Sequence, residues 1–166
     1  MSQTEHAIAP TQTIGTQVQL LVQLLKQASL ITRPMVEGVA EPNGISPNEL
    51  RIVMCLGGEG AQAGHDITEL MGIAPMNVSR AFASLATRGW IEQVNDPDNK
   101  RRKPVQLSAR GWEAYQAMTP DVRIVADYLF KGLTANERNA LARISKKIIA
   151  RMEDWAVEHM VIGAEG

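Results

Sequence analysis

Four consecutive cations, Lys100, Arg101, Arg102 and Lys103, stand between the turn-forming DPDN of residues 96–99 and the β-prone PVQLS of residues 104–108. Upstream, a second polar series of Asn77, Arg80, Ser84 and Arg88 recurs at spacings of three, four and four, which places it on one side of a helix. Cations on a projecting loop suit phosphate oxygens, and an arginine among them can enter the strongly negative minor groove of DNA without a sequence-specific partner. Lys100, Arg101, Arg102 and Lys103 are the candidates, an arginine for the groove and the other cations for phosphates. The helix series suits base edges: the Asn77 amide can pair with adenine, and the Arg80 guanidinium with guanine or a phosphate. Met76 and Ser79, near the same helix end, are secondary candidates.

The placement of charge points the same way. The chain has 166 residues and a formal net charge of −1. Residues 1–74 carry three basic and seven acidic groups, residues 75–110 seven and three, and residues 111–166 seven and eight. The positive excess therefore lies in one middle section, the footprint that a phosphate backbone selects; a solvated basic face is the plainer alternative.

These groups need elements to carry them. From Ile14 to about Glu37, apolar residues at Ile14, Val18, Leu21 and Leu25 recur at helical spacing, and Leu20, Val22 and Leu24 widen the stripe. In SPNELRIVMCLGG, Ser46 is a candidate N-cap, Pro47 stands at the first helical position, Glu49 completes a capping box, and Gly57 with Gly58 ends the helix. A short helix is expected from about Ala63 to Met71, closed by Gly72; Pro75 then opens another that runs to Arg88 and stops at Gly89. Two short helices joined by a glycine-containing turn form the helix-turn-helix pattern. In the second, Val78, Ala81, Phe82 and Leu85 form the core face, opposite the polar series.

WIEQVND and KPVQLS read as two short strands around DPDNKRR, a hairpin with a projecting cationic tip. Helix resumes in ARGWEAYQAM and TPDVRIVADYLFKGL, with Thr119 and Pro120 as a cap and first turn or as a kink. The last helix starts at a capping box, Thr134 to Glu137, and carries Leu141, Ile144, Ile148, Met152, Trp155 and His159 along one stripe.

The expected fold is mainly α with a small β-hairpin wing: a winged helix-turn-helix core flanked by N- and C-terminal dimerisation helices. The core falls at about 46–110 and the long helices at about 13–38 and 111–160, in a single domain of residues 13–166 after a flexible 1–12. The terminal helices are too apolar to lie alone on a surface. Dimerisation through Leu21, Leu25, Ile144, Ile148 and Trp155 would bury them.

Other chemistries find little support in the sequence. The single cysteine, Cys55, cannot form an internal disulfide, and His6, His65 and His159 show neither CxxC nor HExxH spacing, so no metal or cofactor is expected. No nucleophile pattern accompanies His65 and Asp66, and no paired carboxylates or phosphate-cradling glycine loop appears; the chain does not read as an enzyme. The N-terminal MSQTEHAIAPTQ lacks the basic flank and apolar core of a signal peptide, and no apolar run approaches the ~18 residues of a membrane span. A cytoplasmic protein with no membrane partner is expected. Cys55, Met54, Met71, Met118 and Met152 fit core filling. Trp112 and Tyr115 fit the core or the wall of a ligand site.

Residues 66–111, DITELMGIAPMNVSRAFASLATRGWIEQVNDPDNKRRKPVQLSARG, resemble the MarR family of bacterial transcription regulators. NVSRAFASLATRGWI is similar to that family's recognition helix running into the first wing strand. KRRKPVQLSARG is similar to its wing, followed by the leucine, hydroxyl and glycine that begin the next helix. Counting back from Leu107, Ser108 and Gly111, the family's usual Asp-x-Arg falls on Asn99 and Arg101, so asparagine stands in the customary aspartate position. Asp98, one residue earlier, is the candidate to take over its role.

The resemblance implies a sequence-specific transcription regulator, a repressor rather than an activator, that binds a palindromic double-stranded operator as a homodimer. It also implies release by a small-molecule effector such as an aromatic or phenolic acid, bound between the dimerisation helices and the DNA-binding lobe. Arg33, Arg51 or His65 could supply the polar contact there, beside Trp112 and Tyr115. The rival is a winged-helix interaction module that offers its basic loop to an acidic protein without DNA sequence choice.

Overall fold

The computed structural model describes residues 15–96, 99 and 102–163, with side chains as far as Trp155. It divides into two compact units, one ending at Val125 and the other beginning at Ala126. The first holds α1 (Thr16–Leu30), α2 (Thr32–Met35), a π-helical turn (Val36–Ala40), α3 (Pro47–Glu59), α4 (Gly64–Met71), α5 (Pro75–Thr87), β1 (Ile91–Gln93), β2 (Val105–Leu107) and most of α6 (Ala109–Leu129). The second holds the end of α6 and α7 (Ala135–Gly163). No helix among the described residues is long and apolar enough to cross a membrane.

The first helix is not continuous to Glu37 as its periodicity suggests. It stops at Leu30, whose carbonyl would need an N–H from residue 34; that residue is Pro34 and has none. The π-helical turn beyond it carries Val39 and Ala40 into full burial.

Helix α3 starts as expected. Ser46 Oγ accepts the Glu49 N–H at 3.2 Å and Glu49 Oε2 accepts the Ser46 N–H at 2.7 Å. Gly57 and Gly58 do not end it, however; it continues to Glu59 and closes at Gly60, φ 81°. Gly57 answers a packing demand instead, since a Cβ there would lie 2.4 Å from Tyr115 Cε2. Between α4 and α5 the turn is made by Gly72, left-handed at φ 61°, and Pro75 opens α5.

The wing strands are shorter than the sequence suggests, three residues each, in the antiparallel register Ile91↔Leu107, Glu92↔Gln106 and Gln93↔Val105. Pro104 has no N–H for a further rung, though its carbonyl accepts the Val94 N–H at 2.9 Å. Gln62, just before α4, adds a bridge to the outer side of β2 through Val105. Thr119 and Pro120 make neither a cap nor a helix start. Thr119 bonds back to the Tyr115 carbonyl at 3.0 Å, and α6 runs through both residues.

The core collects Ile52, Leu56, Ile67 and Leu85, all at most 1 % exposed, together with Cys55, whose thiol pKa is pushed up by burial and by the nearby Glu59. Gly111, Met118 and Val125 of α6 are also buried, which extends this unit well past residue 110. The terminal helices differ. None of α1's residues is buried: Leu21 is 53 % and Leu25 62 % exposed. In α7 the Thr134–Glu137 capping box forms, while Ile144, Met152 and Trp155 are exposed and Ile148 is half-buried.

Candidate nucleic-acid interface

Helix α5 is pressed into the lobe by Val78, Ala81 and Leu85, which leaves its other side outward. On the leading half of that side Met76, Asn77, Ser79 and Arg80 are exposed, and among the described residues none of their side chains has an intrachain hydrogen bond or ion pair. Asn77 and Arg80 line a groove of about 210 Å³ against Ser46, Asn48 and Glu49 at the start of α3. An amide and a guanidinium with open donors beside such a groove can hydrogen-bond base edges or phosphates.

The trailing half is built otherwise. Ser84 donates to Glu49 Oε1 at 2.6 Å, and Arg88 Nε lies 3.4 Å from the same oxygen. Arg88 also donates to the Gly44 carbonyl at 2.8 Å and stacks 5.3 Å from the centre of the Trp90 ring. Burial pushes the Glu49 carboxyl pKa up, but bonds from Ser84 and Ser46 and the charge of Arg88 outweigh this and hold it below its ordinary 4.5. Ser84 and Arg88, grouped with the DNA face in the sequence, are thus committed to joining α5 to α3.

In the wing, Lys103 is exposed and joins His65, Thr68, Ser79 and Phe82 around a groove of about 450 Å³. Arg102 is instead bonded to Asp66 and, at 3.2 Å, to Asp96. Burial pushes the Asp66 pKa up, yet the Ala63 N–H, His65 and Arg102 more than offset it, leaving the carboxyl below its ordinary 3.8. Asn99 N–H bonds Asp96 Oδ1 and its carbonyl accepts the Arg102 N–H, both at 3.0 Å. Lys100, Arg101 and Asp98 lie outside the described residues.

The five residues considered for an effector site engage separate partners. Arg33 pairs with Glu37 at 2.7 Å, Arg51 donates to the Met71 carbonyl, and His65 Nε2 lies 2.9 Å from Asp66 Oδ1. Trp112 and Tyr115 meet edge to face at 5.5 Å. Sequence reasoning missed the carboxylates that organise the face. Glu49 showed itself only as a local cap; Asp66 and Asp96 carried no signal for a partner such as Arg102, since that pairing needs the wing folded back on α4.

Two short helices at a glycine turn, an open leading face on the second and a two-stranded wing beside it define a winged helix-turn-helix. Residues 45–103 match the MarR family model, and in that segment the chain is similar to the MarR family. The transcriptional repressor MprA of Escherichia coli strain K12 is 26 % identical over 94 residues, 57 % of this chain and 53 % of that protein, so the match spans about half the length of that repressor. Among solved structures, the Bordetella bronchiseptica regulator BpsR superposes with a TM-score of 0.61 at 18 % identity, covering 82 % of this chain and 97 % of its own. A cysteine-to-serine mutant of Escherichia coli MarR complexed with operator DNA gives 0.57 at 20 % identity, over 80 % and 94 %. At such identities the likeness carries the fold.

Proposed function

We propose that the protein is a cytoplasmic, sequence-specific DNA-binding repressor that acts as a homodimer on a palindromic operator and is released by a small-molecule effector. The observation that carries the reading is the leading edge of α5, where Asn77 and Arg80 stand exposed and unengaged next to a wing that offers Lys103. The operator complex of Escherichia coli MarR supports it by analogy of fold. The test is selection of bound sequences from a random duplex pool, followed by gel shifts across salt concentrations. Enrichment of a palindrome with half-sites about one helical turn, ~10 base pairs, apart is the expected result. Equal retention of all duplexes would move the protein to the interaction-module reading.

The homodimer is supported by Leu21 and Leu25 of α1 and by Ile144 and Trp155 of α7, large apolar side chains left in solvent in the single chain. Sedimentation showing a folded monomer at micromolar concentration would sink this part. Effector release is supported by BpsR, whose DNA binding is regulated by 6-hydroxynicotinic acid. Aromatic acids titrated against free protein and against the operator complex should bind the free form more tightly, by the same factor they take from DNA affinity; equal affinity would exclude a compound as effector.

A further inference from the structure

Arg102 differs from its neighbour Lys103. Its Nη1 donates to Asp96 in the wing loop, six residues back, and its Nη2 to Asp66 in the first turn of α4, 36 residues away in sequence. The first contact folds the loop on itself; the second ties the loop to the helix-turn-helix. Asp66 is held in turn, because its Oδ2 accepts the Ala63 N–H at 2.7 Å while Oδ1 faces His65. The base of the wing has its own attachment, the pair of backbone bonds between Gln62 and Val105 at 3.0 and 2.9 Å. The wing is thus attached to the helix-turn-helix at two described points, Val105 and Arg102. A guanidinium flanked by two carboxylates has little net charge to offer a phosphate, and would give up both partners to reach one.

We infer that Arg102 is a positioning residue that latches the wing to α4 through Asp66, so that the neighbouring cations meet DNA in a pre-set pose; it is not itself a phosphate contact. The inference rests on the DNA-binding reading. A wing fixed before binding spares the ordering cost that a loose loop incurs on the duplex. It also divides the four-cation run by role, with Arg102 facing inward and Lys103 exposed.

A double-mutant cycle of Arg102→Gln and Asp66→Asn, read as affinity for the selected duplex across salt concentrations, tests the latch. Asparagine keeps an oxygen for the Ala63 N–H, so α4 retains its cap. Arg102→Gln alone is expected to weaken binding about five- to tenfold, the scale of one net hydrogen bond, with an unchanged salt slope. In the Asp66→Asn background the same substitution should cost almost nothing. A phosphate contact gives the opposite pattern: the slope falls by about one, and the loss persists or grows once Asp66 no longer restrains the guanidinium. General charge effects cancel in the cycle, so that pattern would overturn the latch. Hydrogen exchange on the free protein adds a readout without DNA. Arg102→Gln should speed exchange at the Val94 and Asn99 amides while Leu56 in α3 stays protected. Unchanged wing exchange would overturn the latch with the DNA-binding reading intact, whereas a wild type that retains no duplex at all would sink that reading.

Discussion

In the leading half of α5, Asn77 and Arg80 project into solvent with no intrachain partner among the described residues, whereas Ser84 and Arg88, further along the same polar stripe, bond inward to Glu49. The start of α3 makes the difference. Its capping-box carboxylate needs donors beyond the cap, and the trailing half of α5 supplies them. The leading half meets only a groove at the same place. One helix thus divides its polar side between an open edge and a fastening, and the wing repeats the division with Lys103 and Arg102. A polar stripe at helical spacing marks the outward face, but it does not tell which of its members are available to a ligand.

The largest expected effect tests the fastening. Glu49→Ala removes the capping box, the acceptor of Ser84 and the partner of Arg88 together, and should lower stability by about 3 kcal/mol in urea unfolding at fixed protein concentration. Arg80→Ala should stay within about 0.5 kcal/mol of wild type in the same assay. Equal losses would erase the distinction between the two halves.

Next in size is a loss on the open edge. Asn77→Ala should cost ~1–3 kcal/mol of discrimination at one base pair and leave nonspecific affinity and stability in place, measured on the selected operator and single-base variants of it. If specific and nonspecific binding fell equally, Asn77 would belong with the phosphate contacts. Arg88→Ala makes the complementary case. It should lower stability by about 1 kcal/mol, since a half-buried guanidinium loses a carbonyl, a carboxylate and a ring, and its salt slope on DNA should match wild type. A slope reduced by about one would return Arg88 to the interface.

Local signals made much of the fold legible. Ser46 and Glu49, Thr134 and Glu137, Gly72 and Pro75 each determine an element boundary through bonds or dihedral angles spanning three or four residues, and those boundaries appear as expected. Signals with two physical meanings misled. Gly57 looked like a helix stop but is a seat for the Tyr115 ring, 58 positions away in sequence. Pro120 read as a first turn or a kink, and α6 runs through it without a new start. At the candidate interface the outward face of α5 was legible from the spacing of Val78, Ala81 and Leu85. The intrachain bonds of Ser84, Arg88 and Arg102 were not, because each depends on a carboxylate brought near only by folding, 35, 39 and 36 positions distant.

The smallest effect concerns acid, and its sign follows from the direction of the shifts. Glu49 and Asp66 sit below their ordinary values of 4.5 and 3.8 in the folded chain, while the unfolded chain restores those values. Each carboxylate therefore contributes stability that is complete above its ordinary value and is lost as pH falls through the lower folded one. Glu49→Gln keeps the shape and removes the titration. The stability gap between wild type and Glu49→Gln should be constant from about pH 7 down to about pH 5, then narrow as the pH drops below 4.5. Urea midpoints at a fixed protein concentration would measure it. A gap that stayed level to about pH 3.5 would mean that Glu49 takes up its proton equally in the folded and unfolded chains, with no shift, and one that widened would mean that its folded value lies above the ordinary one. In either case the bonds from Ser84 and Arg88 would not stabilise the charged form as the geometry requires, and the contrast between the two halves of α5 would rest on packing instead.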